Sequence, residues 1–460
     1  LPEGATASWF AAPDGDTVDD LPDLADSAGA VITSVATGYS VGGDPTTRLS
    51  YATASGGPAL VGTLAHQRAG GAGDDCDLGS YSTTYGAMTL CATDELAWSS
   101  PRIEPTASLG ADDLTALTSA QRDELTTALG ADLAGTGELA ADTYFGGKQL
   151  ARLANLLQLA RDLGADDLAA TAQTRLAEEL RVWTEPAGCD DRAERCFAYD
   201  PTQPGMVGFA ASFGADEYND HHFHYGYFLY AAAVAAATDE QLRDDIAPVI
   251  TLLAADLASG SASELFPARR TFDPYSGHSW ASGFSPFGDG NNQESSSEAV
   301  AAWNGLALWA ETAGDDDLDA EARWMLAAEA ASARTYWTDF DRSDPAYADY
   351  EHGVVGIVWD GKRDYSTWFS PEPAAILGIQ LIPMTGVSDY LAGDPDRIRA
   401  NVAEVDEAPQ FADLLLMYSA LAGPEDAAVA LEKARDLPDA AIDDGNARSL
   451  LLAWLMVKAE

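Results

Sequence analysis

Tyr218-Asn219-Asp220-His221-His222-Phe223-His224-Tyr225-Gly226-Tyr227 places one carboxylate, three of the chain's six histidines and three tyrosines within ten residues. It then runs into an apolar helical pattern that reaches Ala237. A second stretch, Asn291-Asn292-Gln293-Glu294-Ser295-Ser296-Ser297-Glu298, precedes another such pattern through Ala299, Val300, Trp303, Leu306, Leu308 and Trp309. On a helix predicted from Asn292 to Ala313, Glu294 and Glu298 share one face, a turn apart. Carboxylates held close together repel, which raises the pKa of at least one. Such pairs occur where protons, metals or sugar hydroxyls are handled. Alone, Glu-x-x-x-Glu is ordinarily a solvated helix face, and the histidines read equally as a metal site or as hydrogen-bonded core. The two segments together carry more weight than either.

Helical periodicity extends outward in both directions. Leu114–Leu133, Lys148–Leu163 and Asp166–Trp183 precede the histidine segment. Glu240–Ala258, Asp319–Trp337, Ala408–Leu421, Glu425–Arg435 and Ala447–Lys458 follow it. Long aromatic-rich loops between so many helices point to a helical toroid whose loops form one working face, since a plain bundle has shorter connections. Residues 1 to about 100 read differently. Ala30–Val35, Ala59–Leu64 and Tyr81–Leu90 are strand-like runs separated by turns such as Gly42-Gly43-Asp44-Pro45, which predicts a smaller all-β sandwich. The fold class is therefore mainly α with a preceding β part.

The chain carries 74 acidic and 25 basic side chains, a formal net charge of −49, and only four lysines (Lys148, Lys362, Lys433 and Lys458). Nucleic acid and anionic membrane surfaces are excluded as partners, because both need basic patches. Acidic blocks such as Asp19-Asp20 and Asp315-Asp316-Asp317 are spread along the chain, and their repulsion needs concentrated salt to screen it. This predicts a protein of a hypersaline medium, with an ordinary acidic protein as the alternative. Hydrophobic residues make up 47%, enough for a large core, and no run approaches the roughly 20 apolar residues of a membrane span. The Leu1-Pro2 start without Met reads as a removed leader or a trimmed chain. Cys76 and Cys91, and Cys189 and Cys196, form two local pairs without CxxC spacing. They read as disulfides of a secreted, extracellular protein, with buried free thiols as the alternative.

Aromatic residues interleaved with polar ones mark several loops: Tyr144-Phe145-Gly146-Gly147-Lys148, Asp273-Pro274-Tyr275-Ser276-Gly277-His278-Ser279-Trp280, Trp359-Asp360-Gly361-Lys362 and Tyr365–Phe369. Rings of this kind cover the C–H face of a sugar while polar neighbours hold its hydroxyls. Glycoside hydrolysis needs one protonated carboxyl and one carboxylate, and Asp220 with Glu294/Glu298 supplies that set. Histidines and tyrosines around Asp220 are expected to hold it protonated by hydrogen bonding and partial desolvation. Three rivals remain. Zinc held by Asp220, His221, His222 and His224 is disfavoured because the three rings do not share one side of a helix or strand. A non-catalytic glucan-binding surface protein has no need of the three carboxylates. A polysaccharide lyase needs cations, which are scarce in these loops (Arg269, Arg270, Lys362, Arg363).

The segments 219–227 and 292–299 resemble the two signature blocks of glycoside hydrolase family 81, the endo-β-1,3-glucanases or laminarinases. The likeness extends through Tyr144–Lys148, Asp273–Trp280, Trp359–Lys362 and Gly378–Pro383, and more weakly to Leu64–Gln67 and Tyr81–Gly86. The resemblance implies a shortened β-sandwich over 1–105, a helical linker over 106–140 and an (α/α)6 catalytic barrel over 141–460. It implies inverting hydrolysis of β-1,3-glucan, with Asp220 as general acid, Glu294 as general base and Glu298 assisting that base. The expected substrate-binding residues are Tyr144, Lys148, His224, Tyr225, Asp273, Tyr275, His278, Trp280, Trp303, Trp359 and Trp368. No metal or other cofactor is expected, and the enzyme is expected to meet its glucan as a monomer.

Overall fold

The computed structural model describes residues 7, 9–15, 21–406, 408 and 410–460; Leu1-Pro2 and Asp19-Asp20 lie outside the described residues. The architecture is mainly helical, with small antiparallel sheets. Strands β1 (Ile32–Ser40), β2 (Thr46–Thr53), β3 (Ala59–Thr63), β4 (Ser80–Thr83), β5 (Gly86–Thr93) and β6 (Glu95–Ser99) form two three-stranded sheets, ordered β1-β2-β6 and β3-β5-β4. Alternation along β3 buries Ala59 and Val61, which share a core with Leu49, Leu96 and Trp98 from the other sheet. The single strand expected over Tyr81–Leu90 is instead a hairpin. The chain turns at Thr84-Tyr85, and Gly86 supplies a φ of 89° that a bulkier residue adopts only with strain. Both cysteine pairs are disulfides, Cys76–Cys91 and Cys189–Cys196.

The helical body is organised around His221–Ala236, in which every residue is buried. A helix apolar on all sides belongs in the middle of its fold. It packs against Thr143–Asp162 on one side and Ser296–Ala313 on the other. The second contact is very close. A Cβ on Gly226 would lie 2.6 Å from the Ala302 Cα, and one on Gly305 would lie 2.7 Å from the Gly226 carbonyl oxygen. Glycine at both crossing points therefore lets the two helices that lead away from the carboxylates touch backbone to backbone. Asp166–Trp183, Glu240–Leu257 and Asp316–Ala333 cover these inner helices from outside.

Ala412–Ser419, Pro424–Asp436 and Arg448–Lys458 then pack in succession, and the last lies against both Thr143–Asp162 and Ser119–Gly135. The end of the chain thus returns to the beginning of the helical body. Ser119–Gly135, within the stretch expected to be a linker, buries Leu125, Leu129 and Leu133 in the main core. The helix expected over Leu114–Leu133 is divided at Thr118, whose hydroxyl accepts the Gln121 N–H and starts a new helix. Likewise the helix expected from Asn292 begins only at Ser296. Asn292-Gln293 pairs instead with Ile357–Trp359 as a short strand, and Ser295 caps the helix by accepting the Glu298 N–H. No described helix is long and apolar enough to cross a membrane.

Candidate active site

Asp220, Glu294 and Glu298 line one cleft of ≈ 710 Å³, together with Tyr144, Lys148 and Trp368. The local geometry explains how each carboxylate arrives there. Asp220 stands at the start of the buried His221–Ala236 helix in the left-handed region, at φ 58°, and its N–H donates to the Ala281 carbonyl. Glu294 precedes its helix, so the expected arrangement of two glutamates one helical turn apart is not what forms. The Trp368 N–H donates to Glu294 Oε1 at 2.6 Å, and the Gln380 side chain donates to its carbonyl at 2.7 Å. Glu298, in the first turn of the helix, accepts the Tyr227 hydroxyl at 2.7 Å.

Burial disfavours the charge on all three groups. Desolvation, reinforced by Glu298 and Glu294, raises Asp220 well above the usual carboxylate range. Glu294 is pushed up to about 7 by burial, against the Trp368 N–H that favours its ionised form. Glu298 is also raised by burial, but hydrogen bonds from Tyr227, Ser295 and Tyr144 and the nearby Lys148 charge oppose the shift. Burial thus sets Asp220 toward its protonated form and leaves Glu294 poised near neutrality, directions that suit carboxyls which exchange protons with a ligand.

Six of the expected site residues meet in this cleft: Asp220, Glu294, Glu298, Tyr144, Lys148 and Trp368. Lys148 is bound on both sides, 2.9 Å from Asp443 and 2.8 Å from Asp444, so its ammonium fixes the cleft wall. The other expected binding residues lie elsewhere. Tyr225 and Trp303 are fully buried core residues, with Tyr225 donating to the Met206 carbonyl at 2.7 Å and Trp303 to Glu329 at 3.0 Å. His224 is buried behind Tyr144, its Nδ1 2.8 Å from the Thr143 hydroxyl. Trp359 backs Trp368 and Phe287 and donates to Asp364, supporting the rim from behind.

Asp273, Tyr275 and His278 belong to a hairpin that joins the helical body to the sheets. The Tyr275 hydroxyl donates to the Gly62 carbonyl on β3, and His278 pairs with Tyr85 between β4 and β5. Trp280 packs on His278 and does not line the cleft. The three clustered histidines also diverge. His221 faces Asp256, His222 faces Gln293 and His224 faces Thr143, so they converge on no common point.

Several cleft residues carried no clear signal in the sequence. Phe213, Phe287 and Phe411 add to the apolar lining. Asp443 and Asp444 come from the loop before the last helix, where two more aspartates in so acidic a chain attract no notice.

Residues 110–456 match the glycosyl hydrolase family 81 C-terminal domain. The chain belongs to family 81. The glucan endo-1,3-beta-D-glucosidase of Acetivibrio thermocellus is 36% identical over 296 residues, which cover 62% of this chain and 38% of that protein. Its namesake from Thermobifida fusca is 35% identical over 330 residues, 70% of this chain and 43% of that protein. A solved structure of glycoside hydrolase family 81 from Clostridium thermocellum aligns with a TM-score of 0.81 at 30% identity, covering 95% of this chain and 62% of that one. This family 81 chain thus spans about two-fifths of the length of those two relatives.

Proposed function

We propose that this chain is an endo-acting glycoside hydrolase that cuts β-1,3-glucan with inversion. The observation that carries the reading is the meeting of Asp220 with Glu294 and Glu298 in one aromatic-lined cleft. Asp220, set toward its protonated form, donates its proton to the leaving glycosidic oxygen. Glu294 takes a proton from a water that attacks the anomeric carbon from the opposite face of the sugar ring. Glu298, held by Tyr227, orients and tunes that base. Trp368 and Tyr144 offer flat faces to sugar rings, and the names of the relatives support the β-1,3-linkage.

The order in which the helices pack, with the last returning to the first of the inner ones, supports an (α/α)6 toroid over 141–460, joined through 106–140 to a small β-sandwich over 1–105. The two disulfides support a secreted, extracellular protein, and the charge of −49 supports a hypersaline setting. The enzyme acts as a monomer on polysaccharide or oligosaccharide, without a cofactor.

The test is a product profile on laminarin and curdlan in molar salt for the wild type, Asp220→Asn and Glu294→Gln. The reading expects a ladder of oligosaccharides from the wild type and none from either variant, while both variants still bind laminari-oligosaccharide. A variant that hydrolyses at the wild-type rate contradicts the assigned roles.

A further inference from the structure

The backbone leading to Asp220 is wound unusually tightly. Phe213, Gly214, Tyr218 and Asp220 all take positive φ, at 52°, 78°, 66° and 58°. Left-handed conformations at non-glycine residues cost energy and persist only where surrounding contacts enforce them. The 213–220 turn is therefore held, and the residue that holds it from below is His221.

His221 is fully buried, with Nδ1 2.7 Å from Asp256 Oδ2 and Nε2 2.8 Å from the carbonyl oxygen of Ala215, in the middle of the turn. Both ring nitrogens are engaged by oxygens of the protein, so neither is free to meet substrate. Asp256 is itself fixed. Arg270 donates to both of its oxygens, at 3.1 and 2.8 Å, and the Met206 N–H donates to Oδ1 at 2.9 Å. Arg270 also lies over the Tyr218 ring, 4.5 Å from its centre, which grips the turn a second time.

We infer that His221, clamped between Asp256 and the Ala215 carbonyl, is a positioning residue that aims the Asp220 carboxyl into the cleft by holding the left-handed 213–220 turn. The inference rests on the reading of Asp220 as general acid, and it assigns the buried His221–Asp256–Arg270 chain a purpose beyond packing. A carboxyl displaced by about an ångström loses much of its catalytic effect even when substrate still binds. The defect should therefore fall on protonation of the leaving group.

The test compares wild type, Asp220→Asn and His221→Gln on two substrates: laminarin, whose leaving sugar needs a proton, and a dinitrophenyl β-laminari-oligosaccharide, whose leaving phenolate does not. For His221→Gln we expect kcat on laminarin to fall roughly 10- to 100-fold with KM within about twofold, and kcat on the dinitrophenyl substrate to fall less than about threefold. A His221→Gln kcat on laminarin within about threefold of wild type overturns the inference. So do equal losses on the two substrates, because a merely structural role is blind to the leaving group. Should His221→Gln fail to fold, Asp256→Asn is put through the same comparison with the same criteria. An active Asp220→Asn enzyme removes the acid assignment and this inference together. An inactive Asp220→Asn beside a normal His221→Gln removes the inference alone.

Discussion

The Thr367-Trp368-Phe369 turn and the Asp273–Trp280 hairpin are made of the same kinds of residue and do opposite jobs. In the first, the Trp368 N–H donates to Glu294 and its indole to Asn292, leaving the ring 55% exposed at the cleft. In the second, Tyr275 donates to β3, Gln67 donates to the Tyr275 carbonyl, and His278 is sealed against Tyr85 and Trp337. A tyrosine or histidine with an apolar body and a polar tip suits a sugar site and a buried seam equally well. What separates the two loops is the surface opposite each. One faces the carboxylates across open space, and the other faces a sheet that needs covering.

That contrast is tested first at the carboxylates. Asp220→Asn should lower kcat on laminarin about 1000-fold, within the range general acid catalysis supplies, with little change in the thermal unfolding midpoint. The pH profile of kcat/KM gives the next largest effect. Glu294, as the proposed base, acts only when ionised, and with its carboxyl pushed up to about 7 the rate should fall about tenfold per pH unit below neutrality. Asp220, as the proposed acid, acts only when protonated, and its raised pKa should carry the alkaline limb to higher pH than an ordinary carboxyl would give. Glu294→Gln should abolish the activity at every pH.

At the two loops the expected effects are smaller and of different kinds. Trp368→Ala should raise KM for laminari-oligosaccharides about tenfold, the loss of one stacked ring, with a smaller change in stability. Tyr275→Phe should leave kcat and KM unchanged and cost about 1 kcal/mol of stability, the worth of one hydrogen bond, read from denaturant unfolding. If Tyr275→Phe shifted KM and Trp368→Ala did not, the division between cleft and seam would be wrong. The smallest and most general effect is of salt: the unfolding midpoint should rise between low and molar salt as the repulsion among 74 acidic groups is screened.

Much of this molecule was legible before its structure was. Asp166–Trp183 has the bounds its periodicity predicts, and Asp220, Glu294 and Glu298 do share a cleft. The errors fall where a local pattern has two physical uses. Trp303 follows the carboxylates in sequence and looks like a platform for sugar, yet on its helix it turns inward to Glu329. Tyr225 sits in a helix buried on every side, so its position within the motif says nothing of access. Glu294 and Glu298 share a face only if the helix includes both, and Ser295, a strong cap, starts it between them. The β region was harder to read because β2 and β6 carry Arg48 and Glu95, which pair with each other and dilute the apolar alternation.

The most direct test of the account is the anomeric configuration of the first product, followed by proton NMR as the enzyme cuts laminari-oligosaccharide. Direct attack by a water that Glu294 activates, opposite a leaving group protonated by Asp220, predicts the α-anomer at the newly formed reducing end. A first product of β configuration would contradict it, because retention requires a carboxylate to attack the sugar itself.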